Sequence, residues 1–272
     1  MYDIQEVQGD ITQERKDDLL NYALINGDTD IVAYLLNNGA CLNINSVAWA
    51  VYHGHTGTIK YLVENGLDVN IQDGLMLKKA AVVGHMELVR YLVEAGADIH
   101  TEEDYALRYA AKNGHYEVVK YLVEAGADVH AENEFALKTA FFKGFKDIVF
   151  YLIDRGADIH IEGEVLLRWA AAEGDTNMVR YLIERGANRK EAALQEAVYY
   201  NRIETVELLL ELGADAKKID FTETIDFRIL SILWRSFSDE EMLPFLVSDK
   251  EGIREAAREY LERRKDGFNG SL

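Results

Sequence analysis

The sequence predicts an all-α solenoid, a row of short helix pairs stacked rung on rung and joined by short, tight loops. Three observations predict it. A glycine recurs at Gly27, Gly54, Gly84, Gly114, Gly144 and Gly174, with Asn201 next, in steps of 27, 30, 30, 30, 30 and 27 residues. A Tyr-Leu pair keeps the same register, with tyrosines at Tyr34, Tyr61, Tyr91, Tyr121, Tyr151 and Tyr181. So does a second glycine, at Gly39, Gly66, Gly96, Gly126, Gly156, Gly186 and Gly213. Within each period the apolar residues follow helical spacing, and a fixed period of this size marks a repeat architecture.

Residues 1–15 are read as a polar N-terminal cap and residues 16–218 as seven repeats. One unit shows how a repeat is built. Leu107, Ala110 and Ala111 lie at i, i+3 and i+4 and mark the apolar face of a first helix, where small alanines let neighbouring helices approach. Asp104 stands where an N-cap would, and Glu134 and Glu164 stand where the dipole of a helix start favours negative charge. Gly114 ends the first helix. Val118, Val119, Leu122 and Val123 form the face of a second, and Gly126 follows it where the left-handed conformation costs glycine nothing. One such pair cannot bury both its faces, so stability has to come from stacking on its neighbours. Residues 219–272 read as a degenerate eighth repeat and a C-terminal capping helix. "ILSILWRSFSDEEMLPFLV" (Ile229 to Val247) is a helix pair with Ser236 at the glycine position, and "DKEGIREAAREYLERRKDG" (Asp249 to Gly267) is charged and amphipathic.

The run "AAKNGHYEVVKYLVEAGADVH" (Ala110 to His130) and its copies resemble the ankyrin repeat over roughly Asp17 to Lys217. The resemblance implies an ankyrin-type helical solenoid, and two departures qualify it. The usual ankyrin unit is three residues longer and opens its first helix with Thr-Pro-Leu-His. Here only the leucine remains (Leu20, Leu77, Leu107, Leu137, Leu167, Leu194), and the sole proline is Pro244. The missing residues fall where ankyrin proteins project a β-hairpin finger, so short loops with little or no strand are expected in place of fingers. This pattern is similar to the ankyrin proteins of giant DNA viruses.

Composition narrows the function. A formal net charge of −19 argues against nucleic acid or anionic membrane as a partner, because those need clustered Lys and Arg. No apolar run approaches the length of a membrane span. One cysteine in 272 residues allows no internal disulfide and fits an intracellular location, cytoplasm or nucleus, of an infected host cell if the viral likeness holds. Residues 1–10 carry neither the basic nor the apolar region of a secretory signal. A monomer is expected. His55, His85 and His115 follow the inter-helix glycine, and His100, His130 and His160 end the Gly-Ala-Asp segments. One histidine per rung, at a helix-packing separation of about 10 Å, cannot converge on a metal that needs ligands at about 2 Å. Cys41 reads as a small buried residue. Asn70 resembles a position that asparagine hydroxylases modify, although an ordinary turn asparagine is the plainer reading. No catalytic, cofactor-binding or metal-ligating constellation is present, so the protein is expected not to be an enzyme and to carry no cofactor.

What remains is a binding surface. If Leu107, Ala110 and Ala111 point into the stack, Tyr109, Lys112 and Asn113 point out of it. In ankyrin proteins the equivalent positions line the concave groove that receives a partner protein. The three columns supply the candidate partner-binding residues: Tyr22, Trp49, Tyr52, His53, Val82, Tyr109, Lys112, Phe142, Lys143, Trp169, Tyr199 and Tyr200. Exposed Trp and Tyr make hot spots in interfaces, though the same rings could simply fill the gap that a shortened finger leaves. Glu102, Glu103, Asp104, Glu132, Glu134, Glu162 and Glu164 form an acidic rim beside the groove, which favours a protein partner with a basic surface. The expected function is a non-catalytic protein–protein interaction scaffold. The alternative is an adaptor that passes a captured protein to a ubiquitin ligase or another complex through its C-terminal segment.

Overall fold

The computed structural model describes residues 11–221 and 226–265, so the terminal cap assigned to residues 1–15 lies mostly outside it. Gln13 already opens the first helix. The described residues contain helices and no strand. They fall into two compact units, within residues 1–158 and 159–272.

The first unit is a stack of helix pairs, each an inner helix followed by an outer one. The pairs are α1 (Gln13–Asn26) with α2 (Thr29–Asn37), α3 (Ile44–Tyr52) with α4 (Thr56–Glu64), α5 (Ile71–Val83) with α6 (Met86–Glu94), α7 (Thr101–Lys112) with α8 (Tyr116–Glu124), and α9 (Ala131–Phe142) with α10 (Lys146–Asp154). Leu107, Ala110, Ala111, Val118, Val119 and Leu122 are buried as the spacing predicts, each leucine contributing about 2 kcal/mol by leaving water. Val123 is only half-buried.

At Gly27, Gly54, Gly84 and Gly114 the glycine ladder has a packing cause as well as a conformational one. Gly84 sits at φ +88, and a Cβ there would come within 2.5 Å of the His115 ring. That ring lies across the turn to reach the Val82 carbonyl with Nε2, at 3.0 Å. His55 and His85 do the same to the carbonyls of Ile25 and Tyr52, both at 2.8 Å. These histidines tie each rung to the one before it.

The expected short loops are present, and their form is specific. Gln72–Gly74, Glu102–Asp104 and Glu132–Glu134 each hold three successive residues at φ between 48 and 73 and ψ between 30 and 57, a single left-handed turn. Glu162–Glu164 repeats it in the second unit, with φ from 48 to 69. Non-glycine residues pay about 1–2 kcal/mol each for that conformation, so side chains must hold it. The aspartate of each Gly-X-Asp segment starts the loop by accepting the amide two residues on. Asp68 accepts from Asn70, Asp98 from His100 and Asp128 from His130, all at 2.9 Å.

Asp104 is therefore not an N-cap for its own helix. At φ 56 its buried side chain accepts from His100 Nδ1 at 3.1 Å and from the Asp128 amide of the following rung at 3.0 Å. Asn70 serves the same purpose between earlier rungs, accepting from the Asp98 amide at 2.8 Å and donating to the Gly96 carbonyl at 3.2 Å. Cys41 is exposed, not buried; its amide donates to Asp17 at 2.7 Å.

The second unit begins with two further pairs, α11 (Ile161–Glu173) with α12 (Thr176–Glu184) and α13 (Lys190–Tyr199) with α14 (Ile203–Glu211). Then come α15 (Phe227–Leu233), α16 (Asp239–Leu246) and α17 (Glu251–Lys265), with short 3-10 turns at Ala216–Lys218 and Trp234–Ser236. Ser238 and Glu241 make a reciprocal capping box at the start of α16. Trp234 is fully buried against Phe221, Phe245 and Tyr260. Ile253, Ala256 and Ala257 bury one face of α17.

Candidate interaction surface

The inner helices carry their outward residues in columns. In the first unit these are Tyr22, Trp49, Lys79, Tyr109 and Thr139; then Ile25, Tyr52, Val82, Lys112 and Phe142; then Asn26, His53, Val83, Asn113 and Lys143. Trp49 is 52% exposed, and Tyr22, Ile25, Tyr52 and Phe142 are exposed to a comparable degree. Trp49, Tyr52 and His53 form one cluster at the C-terminal end of α3. The Trp49 ring stands edge-on to Tyr52 at 5.7 Å and stacks on His53 at 5.9 Å. Phe142 sits beside the exposed Lys143 and meets Phe141 edge to face at 5.8 Å.

Two candidates differ from that picture. Tyr109 is only half-exposed because it stacks on Tyr105 at 4.0 Å, with the Lys112 ammonium 4.9 Å from its ring centroid. Val82 is half-buried, and its carbonyl is held by Asn113 Nδ2 at 2.8 Å as well as by His115. In the second unit Trp169 is exposed, while Tyr199 and Tyr200 are exposed and meet edge to face at 5.0 Å. Within that unit Arg168 pairs with Glu196.

Arg108 is a core residue that the apolar pattern of the sequence does not mark. It is buried, and its guanidinium donates to the carbonyls of Glu103 and Glu102, each at 2.7 Å, while pairing with Glu132 at 3.1 Å. The Phe135 ring lies 5.3 Å from it, with Tyr105 and Tyr109 at 5.9 Å. Arg108 thus closes one left-handed turn and ties it to the next. The signal was present in the column one helical turn before Tyr109, where Tyr105 and Phe135 are both aromatic.

The acidic rim is smaller than its composition suggests. Asp104, Glu134 and Glu164 are buried, each with the ring of a histidine four residues earlier as partner: His100, His130 and His160. Glu102 pairs with Lys78 at 2.5 Å and Glu132 with Arg108. A basic partner therefore loses much of the surface on which that expectation rested. Burial alone would raise the Glu164 carboxyl. Bonds from the Arg189 amide at 2.8 Å, the Asn188 amide at 3.0 Å and the His160 ring at 2.8 Å reverse this and hold it below the ordinary carboxylate value. The Glu134 carboxylate bonded to His130 raises that imidazole above its usual value.

Elsewhere in the second unit, Ile203, Phe227 and Tyr260 line a cavity of about 270 Å³ with three arginines at its edge. Arg228 pairs with Asp226 at 3.3 Å and Arg263 with Glu259 at 2.5 Å, while Arg235 approaches Glu207 at 4.0 Å. Among the described residues no group of three His, Cys, Asp or Glu side chains is placed to hold a metal ion, and no helix is long and apolar enough to cross a membrane.

The family description "Ankyrin repeats (3 copies)" matches residues 3–73, 75–163 and 136–220. The chain belongs to the ankyrin repeat family. Ankyrin repeats generally mediate protein–protein interactions, and proteins built from them are generally scaffolds without catalysis. No curated protein matches the chain.

Proposed function

We propose that this ankyrin protein binds a partner protein on its inner-helix face, the concave one in its family. The observation that carries the reading is the half-exposure of Trp49, Tyr52, Phe142, Trp169 and Tyr200, with Tyr199 more exposed still. Rings that filled a gap left by a missing finger would be covered. Large aromatic side chains that stand in solvent, as these do on α3, α9, α11 and at the end of α13, are the residue types that dominate binding energy in interfaces. Lys112, Lys143 and His53 add polar contacts beside them. The protein works as a monomer inside a cell, in cytoplasm or nucleus, which its single cysteine suits. The short units and the missing tetrapeptide liken it to the ankyrin proteins of giant DNA viruses, whose setting would be an infected host cell.

A second reading, an adaptor that joins the captured protein to a ubiquitin ligase or another complex, draws support from Leu243 and Val247. Both are exposed at the end of α16, with Val247 at 82%. Trp234 is no test of it, because that ring is core.

The experiment is affinity capture from cell lysate with the wild type, Trp49→Ala/Trp169→Ala and Leu243→Asp/Val247→Asp, with a circular dichroism melt of each. The proposal expects a protein lost from the tryptophan variant at an unchanged melting temperature. Unchanged capture with a lowered melting temperature would refute it. A second protein lost only from the Leu243/Val247 variant would establish the adaptor.

A further inference from the structure

The charge on the inner-helix face of residues 1–158 runs opposite to that of the chain. The protein carries 48 acidic against 29 basic residues, yet the three outward columns of α1, α3, α5, α7 and α9 contain no Asp or Glu. They contain Lys79, Lys112 and Lys143, together with His53. None of the three lysines is in an ion pair among the described residues. Lys112 lies over the Tyr109 ring, Lys79 is half-exposed and Lys143 exposed. Carboxylates return only toward the loop edge, at Asp18, Asp73, Glu102, Glu103 and Glu132, and Lys78 and Arg108 hold two of these. Lys78 and Arg108 are thus spent inside the protein. Lys79, Lys112 and Lys143 are not.

Resting on the reading that this face binds protein, we propose that its occupant in residues 1–158 is an acidic peptide segment of the partner. Carboxylates of the segment meet Lys79, Lys112 and Lys143, and an apolar side chain lies against Trp49, Tyr52 or Phe142. Charge complementarity selects the sign. An ammonium or guanidinium brought to this face would meet three like charges with no carboxylate in the columns to receive it, whereas a carboxylate finds donors outside any ion pair on α5, on α7 and just past the end of α9. The aromatic rings supply the contact area that exposed ion pairs, each worth little alone, do not. The strong negative charge of the rest of the chain then works as a filter. At physiological salt it is screened within about 8 Å, so a segment that seats on the lysines escapes it and one that misses them does not.

The test uses the full chain and fluorescently labelled short synthetic peptides. Net charge (acidic, neutral or basic) and a central residue (Phe or Ala) vary independently, and binding is read by anisotropy. The acidic peptide with Phe should bind tightest. Lys79→Glu/Lys112→Glu/Lys143→Glu should weaken it roughly tenfold to a hundredfold, the sum of three exposed pairs, without shifting the melt. Tighter binding of basic peptides overturns the inference, and so does an acidic affinity untouched by the triple charge reversal. If Trp49→Ala/Phe142→Ala abolishes binding while the charge reversal does nothing, the face binds protein but not acidic protein. If neither set of substitutions changes the binding of any peptide, the reading on which the inference rests falls with it.

Discussion

Replacing Glu164 with alanine tests whether the buried carboxylates hold the left-handed turns in place. Glu164 is 2% exposed and accepts both successive amides of the next rung, Asn188 and Arg189, together with the His160 ring. A hydrogen bond to a charged acceptor contributes about 1.5–3 kcal/mol. Asn188 and Arg189 are themselves exposed residues, so water can partly satisfy the freed amides, and the low end of that range applies to each. The two together put the expected loss at about 3 kcal/mol. Glu184→Ala, which removes an exposed carboxylate from the end of α12, should stay within about 0.5 kcal/mol of wild type.

The assay is urea unfolding followed by tryptophan fluorescence in a Trp49→Phe background, so that Trp169 and Trp234 report on residues 159–272 alone. Because the Glu164 carboxyl is held below its ordinary value, its stabilisation is complete above that value and is lost as pH falls through the lower, folded one. The gap between Glu164→Ala and the parent should therefore narrow once the pH drops below about 4.5, where an unperturbed glutamate begins to protonate. A loss under about 1 kcal/mol, or a gap that is constant down to pH 3, would refute the idea that the ionised carboxylate secures the turn.

Gly84→Ala and Gly96→Ala separate conformational from packing cost, since both sit at strongly positive φ but only Gly84 faces a neighbour. Gly96→Ala should cost about 1–2 kcal/mol for the left-handed alanine, and Gly84→Ala about 1 kcal/mol more as the His115 ring gives up the Val82 carbonyl. Equal midpoints in a urea titration would show that the histidine is not tied down. Arg108→Met should cost about 2–4 kcal/mol, because it strands the Glu102 and Glu103 carbonyls and the Glu132 carboxylate. Arg108→Lys should lose only about half as much, as Lys78 manages the equivalent bridge to Glu102 with a single ammonium; losses as large as those of Arg108→Met would argue that the fork geometry is essential.

The helix pairs were legible because their cause is local and repeated. Leu107, Ala110, Ala111, Val118, Val119 and Leu122 name both core faces, and Gly84 and Gly114 mark a left-handed turn that residues other than glycine and, at Asn201, asparagine do not enter cheaply. The loops were legible only as short. Nothing in "HTEEDY" (His100 to Tyr105) distinguishes a solvated acidic stretch from one whose third carboxylate turns inward, because that depends on a backbone amide 24 residues further on. On that account Asp104 reads in sequence as an N-cap, and Asp104, Glu134 and Glu164 as rim charges, while the structure buries all three. The burial of Arg108 escapes composition for the same reason, since its partners are carbonyls exposed by an unusual backbone, and only the aromatic Tyr105 and Phe135 beside it point that way. Cys41 was misplaced because burial preference describes the residue type, while its position here is set by an amide bound to Asp17. The inner columns were legible as columns, and it took exposure to separate Trp49 and Phe142 from the half-covered Tyr109.

The shortened loop and the exposed rings have a single physical origin. A left-handed turn of three residues spends its carboxylates inward, on histidine rings and on amides of the next rung, and leaves no projecting hairpin to reach a partner. Lys78 and Arg108, drawn to the loop carboxylates, are withdrawn from the inner face with them. On the proposed reading, recognition then falls to what the inner helices present directly: aromatic rings, and the lysines one position or one turn further along. Restoring a hairpin finger between rungs would cover the neighbouring rings, and on this reasoning it would lower the affinity of the inner face even though it enlarges the surface available for contact.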